Sequence, residues 1–579
     1  MNKTSIYVYR FLMSSLLVLL SAAMVAGAST PKRGHTKLSA RARQEATARG
    51  AAGVDVIVRF RRVPGDSERA AVRQLGGRVR HEHRRSRWLS LRLPGRAVTA
   101  LADNPNVEFV AFDAPVFAAM DVALEAVDYP PATQPESSLT GSGVTIAMLD
   151  SGVASNPDIQ TLVAAVDLVG GVQPASAPSD PANTSDGDGH GTHVAGILVG
   201  NGSRSPQGNV HGVAPGANLV SVRVLDSVGS GRTSDVMVGL QWVIDHKDEY
   251  GIRVVNLSLG HPIYEPAASD PLVQAVDEVW DAGIVVVCSA GNSGRSGHGT
   301  ISSPCNSRKV ITVGAFNDRG TPESADDAVA TFSSRGPTLL DRVAKPDILA
   351  PGSRIVSIRA PGSYLDSQSP DQRVAADPGQ PEVIDYFQMS GTSMAAPHVS
   401  GAAALMLQQE PSLNPATVKA RLMLSARKAS VGDPFSSGAG ALDVLAALRT
   451  GGQVQSAPSP LVWPDPDTGA LLFENTGALW ANPAFSLQAI WSSSLLWSDT
   501  AQPDSPVLSS YASLWPDASL WPDASLWPDA SLWPDASLWP DASLWPDSIL
   551  WSEAVLWSDA GGDAGGVASQ GVGERIKDP

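Results

Sequence analysis

Three separated segments of this 579-residue chain hold side chains that could do covalent chemistry together. The first runs from Val144 to Gly152, an apolar stretch closing on Leu149-Asp150-Ser151-Gly152. A carboxylate at the end of an apolar strand lies at the carboxyl edge of a sheet, where α/β folds gather their reactive groups. A plain Asp turn reads the same way. The second runs from Asp188 to Gly196 and presents His190 among small residues. His190 and His193 could ligate a metal, but no Glu separates them and no cysteine is near, so zinc is poorly supported. The third, Met389 to Gly401, feeds the apolar run Ala402 to Leu407 and puts Ser393 at the start of a buried helix. A serine there can be a simple N-cap. It can also be a nucleophile, because a helix N-terminus favours developing negative charge and the other segments offer a base and an acid.

The elements between these segments are short and alternate in type. Val144–Leu149, Leu219–Val224, Val254–Leu259, Ile284–Ser289 and Val310–Val313 read as strands, with helices over Ser234–Lys247 and Asp270–Ala282. Such alternation predicts an α/β domain over residues 140–448, with a mainly parallel sheet covered on both faces.

In the chain order Asp, His, Ser, the three segments closely resemble the subtilisin-like (subtilase) serine peptidases. The resemblance implies a three-layer fold with Ser393 as nucleophile, His190 as general base and then acid, and Asp150 orienting the imidazole. His193 and His398 become structural neighbours. Ser289-Ala290-Gly291-Asn292 matches the family's oxyanion element, with the Asn292 amide acting beside the Ser393 N–H. Gly229-Ser230-Gly231 and Ser258-Leu259-Gly260 resemble the two backbone segments that pair with an extended substrate. Ser289 to Gly291 would wall the first specificity pocket. These segments carry no charge, which implies apolar or broad preference at the cleaved residue.

No cofactor is required for that chemistry. Asp158 falls where many relatives have a calcium-binding carboxylate, but Gly200–Val210, which would complete the site, carries Arg204, so a structural calcium stays open. Tyr364 to Asp385 reads as an inserted surface loop with Asp366, Asp371, Asp377, Glu382 and Asp385. Cys288 and Cys305 are the only cysteines, and a bridge or two thiols are both open.

Charge divides the chain. Residues 29–120 carry 18 Lys and Arg against 8 Asp and Glu, whereas the whole chain has a net charge of −16. The acidic total argues against nucleic acid as a main partner. Residues 1–28 read as a secretory signal, with Lys3 and Arg10 flanking the start of an apolar run and Ala26-Gly27-Ala28 at its end; an uncleaved membrane anchor is the alternative. Residues 29–120 pattern as strand, helix, strand, helix, strand and are similar to the inhibitory pro-region of these enzymes, a small α+β unit docked on its own peptidase. Its junction would fall in 117–135.

Residues 455–579 form an acidic tail in which eight Trp from Trp515 to Trp557 recur every six residues. A strand or polyproline-like ribbon would align them on one face, able to bind a cell surface or polysaccharide; an extended low-complexity tract is the alternative. The expectation is a secreted serine endopeptidase made as a zymogen and acting on polypeptides. The competing reading is a surface-binding protein built on the Trp repeat, with an inactive peptidase-like domain.

Overall fold

The computed structural model describes residues 37–491 except 83–86, 114, 119–126, 128, 130–133, 172–178, 206–209, 320–326, 376–382, 429–432 and 465–470. The signal at 1–28, most of the 117–135 junction window, the Trp repeat, and Asp377 and Glu382 lie outside the described residues.

The leader forms an antiparallel sheet backed by helices. Its elements are α1 (Ala40–Arg49), β1 (Gly53–Phe60), α2 (Asp66–Gln74), β2 (Arg78–Glu82), β3 (Trp88–Pro94), α3 (Gly95–Ala102) and β4 (Val107–Phe112), with sheet order β2-β3-β1-β4. Helix α1 and strand β2 are additions to the predicted pattern. Little in α1 announces a helix, because its sequence ARARQEATAR has only a thin apolar stripe. Tertiary packing supplies what the pattern lacks: Ala42 and Ala46 are buried against the leader core. Ser39 caps its N-terminus through Ala42 N–H, and Glu45 pairs with Arg41 and Arg49 one turn either side. Beyond β4 comes a short strand, β5 (Pro115–Ala118).

The main unit is built on one twisted sheet. In chain order its elements are β6 (Thr145–Asp150), β7 (Leu162–Asp167), α4 (His190–Val199), β8 (Asn218–Arg223), β9 (Ser230–Arg232), α5 (Thr233–Tyr250) and β10 (Ile252–Leu257). Next come β11 (Leu259–Pro262), α6 (Pro271–Asp281), β12 (Val285–Ser289), β13 (Ser302–Ser303), β14 (Ile311–Asn317), β15 (Ala328–Val329) and β16 (Ile348–Pro351). Then β17 (Ile355–Ile358), α7 (Tyr364–Gln368), β18 (Arg373–Ala375), β19 (Ile384–Met389) and α8 (Thr392–Gln409) complete the part that concerns the site. The sheet order is β15-β14-β12-β10-β6-β8-β7, with β16 also on β14, and every pairing but β14–β15 is parallel.

Alternation along β6 accounts for the layers. Ile146 and Met148 enter a core shared with α4 and α8, whereas Ala147 and Leu149 enter a second core shared with α5 and α6. Successive strand side chains point to opposite faces, so a strand apolar on both faces must be covered on both. The result is the three-layer α/β fold that the sequence predicts.

Two regions differ in detail from their expectation. The 364–385 insertion is not simply a loop: α7 and the β18–β19 hairpin organise it, and the buried Asp366 is held by Arg359 and Arg373. The tail expected from 455 begins as packed chain, with Ala457, Trp480, Phe485, Ile490 and Trp491 buried in the same core as α8.

Candidate active site

Asp150 ends β6 and His190 opens α4, and their side chains meet. His190 Nδ1 lies 2.7 Å from Asp150 Oδ1, and both side chains are fully buried. The approach requires glycine beside the imidazole, since a Cβ on Gly191 would lie 2.2 Å from the Gly152 carbonyl oxygen. Asp186, which sequence reading does not single out, organises this loop. Its carboxylate accepts from Ser151 Oγ, from the N–H groups of Asp188, Gly189 and Thr192, and from Thr192 Oγ1. Ser151 Oγ in turn accepts from Gly191 N–H.

Ser393 lies in the first turn of α8, and a proline one turn on shapes its surroundings. Pro397 has no N–H to give to the carbonyl four residues back, which is that of Ser393. That carbonyl accepts instead from Ser258 Oγ at 2.7 Å, while Ser393 Oγ donates to the Ser258 carbonyl at 3.1 Å. The chain after β10 is thereby tied to the serine on both sides.

Asn292 follows β12 through Gly291, whose φ of +105° suits glycine. The N–H and hydroxyl of Thr392 donate to Asn292 Oδ1 at 2.9 and 3.2 Å, and Gly291 N–H donates to Thr392 Oγ1. With its oxygen engaged by two donors, the Asn292 amide turns its NH2 the other way. The N–H groups of a first helical turn point out along the axis.

Between β9 and β11 lies β5, the end of the leader. Val116 and Phe117 are opposite Gly231 and Ser230, while Phe117 and Ala118 are opposite Gly260 and Leu259, all antiparallel. Gly229 precedes this ladder as a positive-φ turn, and β11 pairs on its far side with β13. Ser289 ends β12, and Ala290 is wholly buried, so Gly291 is the more accessible part of that wall. Cys288 and Cys305 form a disulfide behind it.

Two further histidines near the site, His193 and His398, are buried and bonded to backbone carbonyls. His193 Nε2–H donates to the Ile355 and Phe387 carbonyls, and His398 Nδ1–H donates to Met394 O. Burial lowers their pKa values to about 3 and about 4.

The leader is clamped to the main unit by charge and by apolar contact. Arg232 binds Asp55 at 2.8 Å, His81 Nε2 lies 2.8 Å from Asp235, and Asp113 accepts from Ser234 N–H at the start of α5. Ile57 and Trp88 of the leader share a core with α5 and α6. Burial is also the chief reason that Asp113 is raised to about 6.

Residues 206–209 of the 200–210 segment lie outside the described residues, and among the described ones the carboxylate of Asp158 is taken by donors rather than left for a cation. Oδ1 accepts from Ser203 Oγ at 2.6 Å and Arg204 N–H at 2.8 Å, and Oδ2 accepts from Tyr386 Oη at 2.7 Å.

An acid, a base and a hydroxyl at the carboxyl edge of such a sheet, beside a groove that takes an extended chain, are the makings of a serine-type endopeptidase. The sequence pattern of the Subtilase family matches residues 141–440, and the chain belongs to that family. It is 41% identical over 355 residues to serine protease AprX of Bacillus subtilis (strain 168), covering 60% of this chain and 76% of that one. It is 36% identical over 311 residues to subtilisin DY of Bacillus licheniformis, covering 53% of this chain and 92% of the relative. In fold it is similar to fervidolysin from Fervidobacterium pennivorans, described as a keratinolytic enzyme related to subtilisin. That match has a TM-score of 0.54 and 23% identity, over 69% of this chain and 61% of the other.

Proposed function

We propose that the chain is an exported serine endopeptidase, made as a zymogen that cuts off its own leader. Ser393 is the nucleophile. His190 takes the hydroxyl proton as the oxygen attacks the peptide carbonyl, and Asp150 stabilises the resulting imidazolium. Asn292 NH2 and Ser393 N–H hold the negative oxygen of the tetrahedral intermediate. His190 then gives its proton to the leaving amine, so the peptide C–N bond breaks and an acyl-enzyme remains. Water, deprotonated by the same imidazole, releases the acyl group.

The observation that carries the zymogen reading is the strand Pro115–Ala118 lying between β9 and β11. An extended peptide adds to exposed strand edges through main-chain bonds, and this segment does so in the groove beside Ser393. Its register favours a cut soon after Ala118. Substrates are polypeptides that can present an extended stretch, with apolar or broad preference at the cleaved residue. Export is supported by the charged-then-apolar pattern of residues 1–28 and by the disulfide.

The test compares wild type with Ser393→Ala. Wild type is expected to lose its leader, giving a new N-terminus within 117–135, and to cleave an unstructured protein. Ser393→Ala is expected to stay full-length and inert. Identical behaviour of the two would overturn the catalytic assignment.

A further inference from the structure

Around Asp158 the main unit has a hydrogen-bonded latch. Asp158 is 1% exposed, and its two carboxylate oxygens accept from three protein donors: Ser203 Oγ, Arg204 N–H and Tyr386 Oη. Each donor points a hydrogen where a cation would have to sit. Calcium needs six to eight oxygen ligands at about 2.3–2.6 Å, mostly from carboxylates and carbonyls. A second carboxylate is near, Asp385, but Arg204 Nη2 donates to it, so that charge is already answered. The guanidinium itself would repel an incoming cation. Burial first, and then the bond to Asp158, push the Tyr386 hydroxyl pKa up, so it stays a donor at any working pH.

The latch also joins the elements that carry the reaction. Tyr386 and Asp385 lie on β19, which runs on to Ser393. Ser203 and Arg204 lie in the loop that follows α4, the helix opened by His190. Asp158 draws the two together.

We propose that this latch does the structural work that a bound cation would do here, and that the Asp158 site is closed to calcium. The inference concerns stability alone and stands apart from the catalytic reading.

The test uses the full chain carrying Ser393→Ala, to prevent self-digestion, and reads thermal unfolding in chelator and in excess calcium. Any calcium-dependent change in Tm is expected to be the same with and without Asp158→Asn. Tyr386→Phe, which removes one donor and little volume, is expected to lower Tm by several degrees equally in chelator and in calcium. A calcium-dependent rise that Asp158→Asn abolishes would overturn the proposal. So would a Tyr386→Phe loss that calcium restores, or no loss at all. The Tyr386→Phe arm stands if Asp158→Asn does not fold.

Discussion

Asp150 Oδ1 accepts at once from His190 Nδ1, at 2.7 Å, and from the Ser151 N–H, also at 2.7 Å. The backbone donor holds the carboxylate still, and the carboxylate selects the imidazole tautomer that leaves Nε2 as the base. Asp150→Asn can offer its NH2 to Nδ1 and so stabilise the wrong tautomer. The expected result is a fall in kcat of about 10⁴ with little change in Tm. Steady-state kinetics beside a melting curve would check it, and full activity in the variant would refute the pairing.

In the proposed mechanism Asn292 acts only when charge develops, so its loss belongs in kcat and not in KM. Asn292→Ala is expected to lower kcat by about 10²–10³ with KM nearly unchanged. That magnitude was measured in a subtilisin and is carried over to this relative. A change confined to KM would instead make Asn292 a substrate-binding residue.

Asp188 is a titratable neighbour of the His190 imidazole that sequence reading passed over. Its Oδ2 accepts from the His190 backbone N–H, and a Cβ on Gly229 would lie 3.0 Å from its Oδ1. Burial raises its pKa to about 7, against the pull of His190. An ionised Asp188 favours the imidazolium and so holds the base protonated to higher pH. Asp188→Asn therefore is expected to move the acid limb of the kcat/KM profile down by roughly 0.5–1 unit. A profile superimposable on wild type would show that the two groups do not communicate.

Stability of the full chain is expected to depend on pH through Glu265. This residue is 4% exposed, and its Oε1 is buried without a hydrogen-bond donor among the described residues. Burial first, then Asp270, raise its pKa to about 8, against the Ser39 hydroxyl and the Arg41 guanidinium of the leader. In the unfolded chain the carboxyl has its ordinary value of about 4.3. Folding therefore takes up a proton, its contribution is full below the unfolded value, and it is lost as pH rises toward 8. Thermal unfolding of the full chain carrying Ser393→Ala should give a lower Tm at pH 9 than at pH 6. Glu265→Gln should lessen that difference, and an unchanged difference would remove Glu265 from the account.

Much of the candidate site was legible because the residue types that mark it are local in the chain. Asp150, His190 and Ser393 each lie in a short segment whose small residues and apolar flanks place a functional group at the end of a strand or the start of a helix. The alternation of short strands with helices over 140–448 likewise predicted a sheet covered on both faces. Helix α1 was not legible, since its helix depends on Ala42 and Ala46 meeting the leader core and on a cap at Ser39. Asp186 was hidden for a related reason: its five donors come from Ser151, Asp188, Gly189 and Thr192, and Ser151 lies 35 residues away.

By itself the sequence determined the order of the reactive groups, the parallel α/β plan and the contrast between a basic leader and an acidic remainder. Those follow from residue type, spacing and periodicity, which are properties of short stretches. Only the tertiary structure decided that Cys288 and Cys305 are bridged, that the chain after 455 starts by packing into the core, and that Asp158 is filled by Ser203, Arg204 and Tyr386. Each depends on groups far apart in the chain reaching bonding distance, and a carboxylate's partners, whether ion or hydroxyl, are set by what folding brings to it.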